Sequence, residues 1–219
     1  MLHKGEHNIG IKLIQFYILT IFTYGFWVNF LHFTLIIDFS IIIMCLYVFL
    51  NNKGKLQYSN GNKIIVQLCG VFIFGVVLVA VIKCFSIKMS ILGARSYIAY
   101  MIMALAVSNI QLTEKGYKSV MNTVENLGIA SAIFGIIQFL FNSYMPDILL
   151  HMGLSSIAYV YGLGSLVFRA NGLFENTIVY AGILNAILTF VIGRIICEEK
   201  SKRHLFAAII VCTAIILTF

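Results

Sequence analysis

Proline and charge are what this sequence lacks. A single proline, Pro146, stands in 219 residues, and Asp, Glu, Lys and Arg together make up only 11% of them. A soluble domain is about a quarter charged. With 61% of the residues apolar, too little polar surface remains to cover a water-soluble globule. That excludes a cytosolic enzyme, a secreted disulfide scaffold and a disordered chain. The five cysteines, Cys45, Cys69, Cys84, Cys197 and Cys212, show no CxxC or metal-ligand spacing. Neither a disulfide framework nor a metal site is expected from them. Four lie in or at the ends of apolar runs, where cysteine behaves as a small hydrophobe. The first apolar run is too long for a cleaved signal, and no small-x-small site follows it.

What is present instead is a succession of long apolar runs. A helix crossing the hydrocarbon core needs about 20 mostly apolar residues. The run from about Leu13 to Leu50 is close to twice that, and the polar stutter Asn29-Phe30-Leu31-His32 divides it. The sequence thus predicts an all-α, polytopic transmembrane helix bundle forming a single domain over 1–219. Its spans are expected at about 13–30, 33–50, 64–82, 96–112, 119–141, 177–197 and 205–219. With the N-terminus in the cytoplasm, the inside segments collect Lys4 and Lys12, the lysines at 53, 55 and 63, Lys115 and Lys118, and the basic residues at 194, 200, 202 and 203. Those are eleven of the 15 basic residues; Lys83, Lys88, Arg95 and Arg169 fall outside. Cytoplasmic loops concentrate Lys and Arg, so this orientation is preferred. It also turns the net charge of +7 into a topological signal rather than a nucleic-acid footprint.

Two outer connections are long, about 83–95 and 143–176. Loops beyond ~12–15 residues are mostly functional or disordered. The second is too apolar for disorder, with Ile148-Leu149-Leu150, Ile157-Ala158-Tyr159-Val160-Tyr161 and Leu166-Val167-Phe168. It is expected to lie along the interface as a short helix followed by an extended segment, and to be the place for any chemistry. No repeat, low-complexity segment or inverted repeat is visible, which weakens a transporter reading.

Several polar residues stand out. Asp38 and Glu125 lie a few residues inside expected spans, where charge is costly and often functional; short of the midplane, each is read first as kept wet by snorkelling or by facing the bundle. Arg194 is expected to snorkel to the cytoplasmic interface. Gly128, Ser131, Ala132 and Gly135 share one side of the fifth span, and Gly182 and Ala186 one side of the sixth; such small-residue stripes mark packing faces. His151 has no Ser, Cys or carboxylate partner at motif spacing and reads as an interfacial polar residue. Arg169 is either an interface anchor or a ligand residue, since a guanidinium fork suits phosphate. Gly172 beside it permits a sharp turn.

The stretch Phe168-Arg169-Ala170-Asn171-Gly172-Leu173-Phe174-Glu175-Asn176 resembles the Arg-x-x-Gly-x-Phe-x-Asn segment of the O-antigen ligase and polysaccharide polymerase family of bacterial inner-membrane proteins. Ile91-Leu92-Gly93-Ala94-Arg95-Ser96-Tyr97-Ile98-Ala99-Tyr100 is similar to the Leu-Gly-x-Arg-x-Tyr-x-x-Tyr pattern of an earlier span in that family. Many members have Asn-Pro-Asn where this chain reads Asn176-Thr177-Ile178. The resemblance covers the chain in topology and about two dozen residues in motif.

The resemblance implies transfer of glycan from an undecaprenyl-diphosphate-linked donor at the outer face of the bacterial cytoplasmic membrane. Basic side chains would stabilise the leaving diphosphate without a cofactor or metal. It assigns substrate binding to Arg169 and Arg95, with Gly172, Glu175 and Asn176 in the same segment, and leaves the catalytic residue unknown. Lys83 and Lys88 would help attract the anionic donor. The implied partners are the lipid-linked oligosaccharide, membrane lipid and other polysaccharide-assembly proteins, with no nucleic acid. Family members carry a second large outer loop with an essential histidine. The last run, 205–219, reaches only about 22 Å against a ~30 Å core, so the chain is expected to be cut off and its site incomplete. The competing readings are a transporter or flippase fragment for lipid-linked glycans and a small non-catalytic membrane subunit.

Overall fold

A computed structural model of the chain describes residues 4–29, 31, 35–53, 60–82, 87–141, 144, 159–162, 165–168, 170–174, 177–197 and 202–218. The expected helical class holds. In chain order the helices are α1 (Lys4–Phe22), α2 (Tyr24–Asn29), α3 (Ile36–Asn51), α4 (Asn60–Ile82), α5 (Ile87–Ser108), α6 (Glu114–Leu140), α7 (Thr177–Cys197) and α8 (Lys202–Thr218). Two of them, α6 and α7, are long and apolar enough to cross a membrane; the apolar stretches Ile9–Phe22, Ile36–Asn51, Lys63–Val79 and Ile98–Ser108 are shorter.

One two-stranded hairpin interrupts the helices. Strands β1 (Tyr159–Gly162) and β2 (Ser165–Phe168) pair antiparallel, Tyr159 opposite Phe168 and Gly162 opposite Ser165. The extended segment expected in the long connection is therefore folded back on itself, which satisfies its backbone groups within one short ladder. The short helix expected ahead of it, together with Pro146 and His151, lies outside the described residues.

The residues fall into two compact units. The first comprises 1–14 and 38–116, the second 15–37 and 117–219. In the first, α4 packs on α5, with Cys69 Sγ 3.2 Å from Met101 Sδ. Among the described residues much of the remaining α4 surface is exposed: Val71 is 71% and Phe74 68% exposed, and none stands within 4 Å of a Cβ placed at Gly70 or Gly75. Helix α5 ends where Asn109 turns its side chain back to the Leu105 carbonyl at 2.8 Å. A polar stop of this kind competes with the helical ladder and closes it. Thr113 then opens α6, its hydroxyl accepting from the Gly116 N–H at 3.1 Å as an N-cap.

The second unit holds the larger core. Buried residues recur at helical spacing on three helices: Glu125, Gly128, Ala132, Gly135 and Gln138 on α6, Tyr180, Leu184, Ile187, Val191 and Arg194 on α7, and His204, Ala207, Val211 and Ala214 on α8. Steps of three and four keep each set on one face. Helices α6 and α7 run antiparallel, because Glu125 meets Arg194 while Gly135 meets Tyr180. The small residues of α6 permit the approach: a Cβ at Gly128 would stand 2.5 Å from Ile187 Cγ2, and one at Gly135 would overlap the Tyr180 hydroxyl. Gly182 and Ala186 are a correction. Both are exposed, and Gly182 has open space around it, so the small stripe of α7 is not its packing face among the described residues.

Candidate functional site

Two polar clusters close the α6–α7 interface at its two ends. At the first, Glu125 is fully buried. Its Oε2 accepts from Arg194 Nη1 at 2.5 Å. Its Oε1 lies 3.0 Å from His204 Nδ1 and 3.4 Å from Arg203 Nε. A carboxylate only accepts, so the His204 Nδ1 carries its proton. Asn122 accepts a second bond from Arg194 Nη1 at 3.0 Å, and Asn126 accepts from Arg203 Nη2 at 2.7 Å. An isolated carboxylate here would lose several kcal/mol of solvation; these contacts replace its water with donors from α7 and α8. This corrects the snorkelling role expected of Arg194, which is 9% exposed and turned into the bundle. Three helices are tied through one carboxylate.

The second cluster forms around the segment that follows Arg169. Ala170, Asn171, Gly172 and Phe174 are all buried. Asn171 to Phe174 make a turn closed by the Phe174 N–H donating to the Asn171 carbonyl at 3.1 Å. Gly172 has φ 60°, and among the described residues only Lys53 is a non-glycine with positive φ. A positive φ at the first central position and a negative one at the second is the type II′ pattern, which selects glycine. The space is also closed to a side chain, for a Cβ on Gly172 would stand 2.7 Å from the Tyr180 ring.

Four contacts from Gln138 hold this turn. Gln138 Oε1 accepts from the N–H groups of Asn171 and Gly172 at 3.2 and 2.8 Å. Its Nε2 donates to the Gly172 carbonyl at 2.9 Å and to Asn171 Oδ1 at 3.3 Å. Phe174 sits between Phe22, edge-on at 6.4 Å, and Tyr180, stacked at 5.8 Å. The Tyr180 hydroxyl donates to the Ser131 carbonyl at 2.8 Å. The Gly25 N–H donates to the Leu173 carbonyl at 3.0 Å, and α1 and α2 meet at Thr23, next but one before it. Two buried polar atoms, Ser131 Oγ and Asn171 Nδ2, have no hydrogen-bond partner among the described residues.

Of the residues expected to bind substrate, Gly172 is thus a buried turn residue of the second unit. Arg169, Glu175 and Asn176 lie outside the described residues, as does Lys83. Arg95 and Lys88 belong to α5 in the first unit, described there by their backbone alone. Sequence reasoning passed over Gln138, Asn122, Arg203 and His204. A signal existed for two partners of the small-residue stripe: Gln138 stands three residues after Gly135, and Glu125 three before Gly128. Continuing the stripe at helical spacing would have put both polar side chains on the packing face.

Among the described residues no three of His, Cys, Asp and Glu converge as a metal site requires. No family model, no curated protein and no solved structure matches this chain.

Proposed function

We propose that this chain carries the donor-binding part of a polysaccharide (O-antigen or capsule) polymerase or ligase, a multi-pass protein of the bacterial cytoplasmic membrane acting on an undecaprenyl-diphosphate-linked glycan. The observation that supports this reading is the Gln138-held turn. In the segment Arg169-x-x-Gly172-x-Phe174, the glycine and the phenylalanine are consumed in anchoring the chain to α1, α6 and α7. The hairpin ends at Phe168, and the buried residues leading into the turn begin at Ala170, so Arg169 stands in sequence between two described pieces. A guanidinium at this point of the chain suits a diphosphate by its fork of donors, and would stabilise the charge that develops as the glycosyl bond to the diphosphate breaks.

The wide exposure of large apolar side chains fits a lipid environment. Each of Leu50, Val71, Ile178 and Ile196 is more than 70% exposed, and in water each forgoes roughly 1.5–3 kcal/mol of burial. The proposal includes seven spans with the N-terminus inside. Single cysteines at position 160 should then react with an impermeant reagent from outside, and those at position 57 only after permeabilisation; the reverse pattern removes the orientation and the enzyme reading with it.

In the whole protein, Arg169→Ala should abolish polymer while insertion stays normal, with a smaller loss for Arg95→Ala. Undiminished polymer amount and length in Arg169→Ala would end the donor-site role. The transporter reading gains one observation, the buried Glu125 with its cationic neighbours. It requires Glu125→Gln to impair glycan export more than Arg169→Ala impairs polymer, in the same cells.

A further inference from the structure

Helix α1 ends at Phe22 and α2 begins at Tyr24, inside the stretch 13–30 whose apolar run predicts a single span. No proline forces this break, since Pro146 is the only one in the chain. A helix also breaks where a foreign group enters its hydrogen-bond ladder, and here one does. The Gly25 N–H donates to the Leu173 carbonyl at 3.0 Å, where an uninterrupted helix would use the Ile21 carbonyl four residues back. On either side the helical step is kept: the Thr23 N–H donates to the Leu19 carbonyl at 3.0 Å, and the Trp27 N–H to the Thr23 carbonyl at 3.2 Å. We propose that the α1–α2 junction is a two-state joint, broken while the Asn171–Phe174 turn is docked and closed into one helix when the turn leaves. The joint would pass the position of the long connection to α1 and α2 whichever ligand the chain takes.

Gly25 is buried, so its N–H needs an acceptor from the protein. The docked turn supplies one in the Leu173 carbonyl, and a closed helix supplies another in the Ile21 carbonyl. Exchanging one carbonyl for another is nearly neutral in itself, so the balance is set by what holds the turn. That is the Gln138 amide, with its four contacts to Asn171 and Gly172, and the Phe174 ring between Phe22 and Tyr180. Phe22 is the last residue of α1, so the same turn grips the helix on both sides of the break. The local sequence keeps the joint soft. The Thr23 hydroxyl donates to the Leu19 carbonyl at 2.7 Å, a back-bond that bends helices, and Gly25 is a weak helix former. The Trp27 Nε1–H donates to the Thr23 hydroxyl at 2.9 Å. Both side-chain bonds join residues four apart, so they survive closure and keep the two pieces in register. Because one N–H serves one carbonyl at a time, whatever displaces the turn favours the closed helix, and whatever closes the helix favours release of the turn.

The test uses the full chain in detergent, with the five native cysteines replaced by alanine, and reads each side of the joint while the other is changed. Gln138→Met with Phe174→Ala removes what holds the turn. Spin labels on Val28→Cys in α2 and Ile192→Cys in α7 then report the junction. Their separation should shift by about 3 Å or more, the swing of the end of a six-residue helix turned through ~20°. An unchanged separation overturns the proposal, because Thr23 and Gly25 would then make the break without the turn. The turn itself is read by the half-buried Leu173→Cys, which keeps the backbone carbonyl in place. Its reaction with a charged methanethiosulfonate should quicken about five-fold or more in the same variant. No change in that rate overturns the proposal as well, since the turn would be held by something other than Gln138 and Phe174. Thr23→Leu works from the opposite side, replacing the bending hydroxyl with a strong helix former. It should quicken the thiol at position 173 about two-fold or more if the coupling is reciprocal, and an equal rate overturns the joint. Should the Gln138→Met, Phe174→Ala chain fail to insert, the Thr23→Leu arm decides alone.

Discussion

The two ends of the α6–α7 interface solve the same problem with different chemistry. At the Glu125 end, one carboxylate collects two guanidinium groups and an imidazole from α7 and α8. At the Gln138 end, one neutral amide collects backbone groups of an irregular segment. The difference follows from what is being held. Helices have their backbone groups satisfied internally and can be joined only through side chains, where charge–charge contacts are the strong option away from water. A turn has free N–H and C=O groups, and an amide satisfies both kinds at once without introducing a net charge that burial would penalise. The ionic end therefore ties helix to helix, and the neutral end ties loop to helix. Between them the contact is made by glycine against Ile187 and Tyr180.

Breaking the ionic end should have the largest effect. Glu125→Leu leaves Arg194 buried without its carboxylate and should cost about 3–5 kcal/mol in detergent unfolding. Glu125→Leu with Arg194→Leu should recover most of that loss; a double variant as unstable as the single would mean that the charges are not what joins these helices. The neutral end comes next. Gly172→Ala combines a left-handed backbone that disfavours a Cβ with contact against the Tyr180 ring, about 2–4 kcal/mol together. Equal unfolding midpoints for the variant and the parent would show that the turn relaxes freely. In the middle of the interface, Gly135→Ala should cost about 1–3 kcal/mol by overpacking. Adding Tyr180→Phe, which removes the hydroxyl nearest the new methyl, should return part of it, and a purely additive pair would place the strain elsewhere. The smallest change should be of opposite sign. Gly182→Ala meets open space and should raise stability by up to roughly 1 kcal/mol through helix propensity. A clear loss would reveal that this face of α7 is covered in the native protein.

Helix positions were legible wherever apolar runs were long. The stretches expected at 119–141 and 177–197 coincide closely with α6 and α7. Which face of each helix packs was only half legible. The stripe of Gly128 and Gly135 was correct, because small residues at steps of three and four admit a neighbouring helix. The stripe of Gly182 and Ala186 was not, because α7 instead turns Tyr180, Leu184 and Ile187 to the core, and large side chains can fill the gap left by glycines opposite. Arg194 was misjudged for a related reason: its position at a helix end suggests water, and only the arrival of Glu125 from another helix makes burial favourable. In the long connection, the apolar runs suggested a short helix and an extended segment, yet the pairing of Tyr159 with Phe168 depends on register that two short runs do not specify.

The sequence by itself determined that this chain is helical and strongly apolar, because period, length and the scarcity of charge are one-dimensional properties. It also marked Gly172 as a place where the chain can turn sharply, since a residue without a Cβ tolerates backbone conformations that others avoid. Only the tertiary structure decided which polar residues meet. Glu125 and His204 are 79 positions apart, and Gln138 and Gly172 are 34 apart. Their pairing depends on the antiparallel packing of α6 and α7 and on the hairpin of α7 with α8, and no local pattern carries that information.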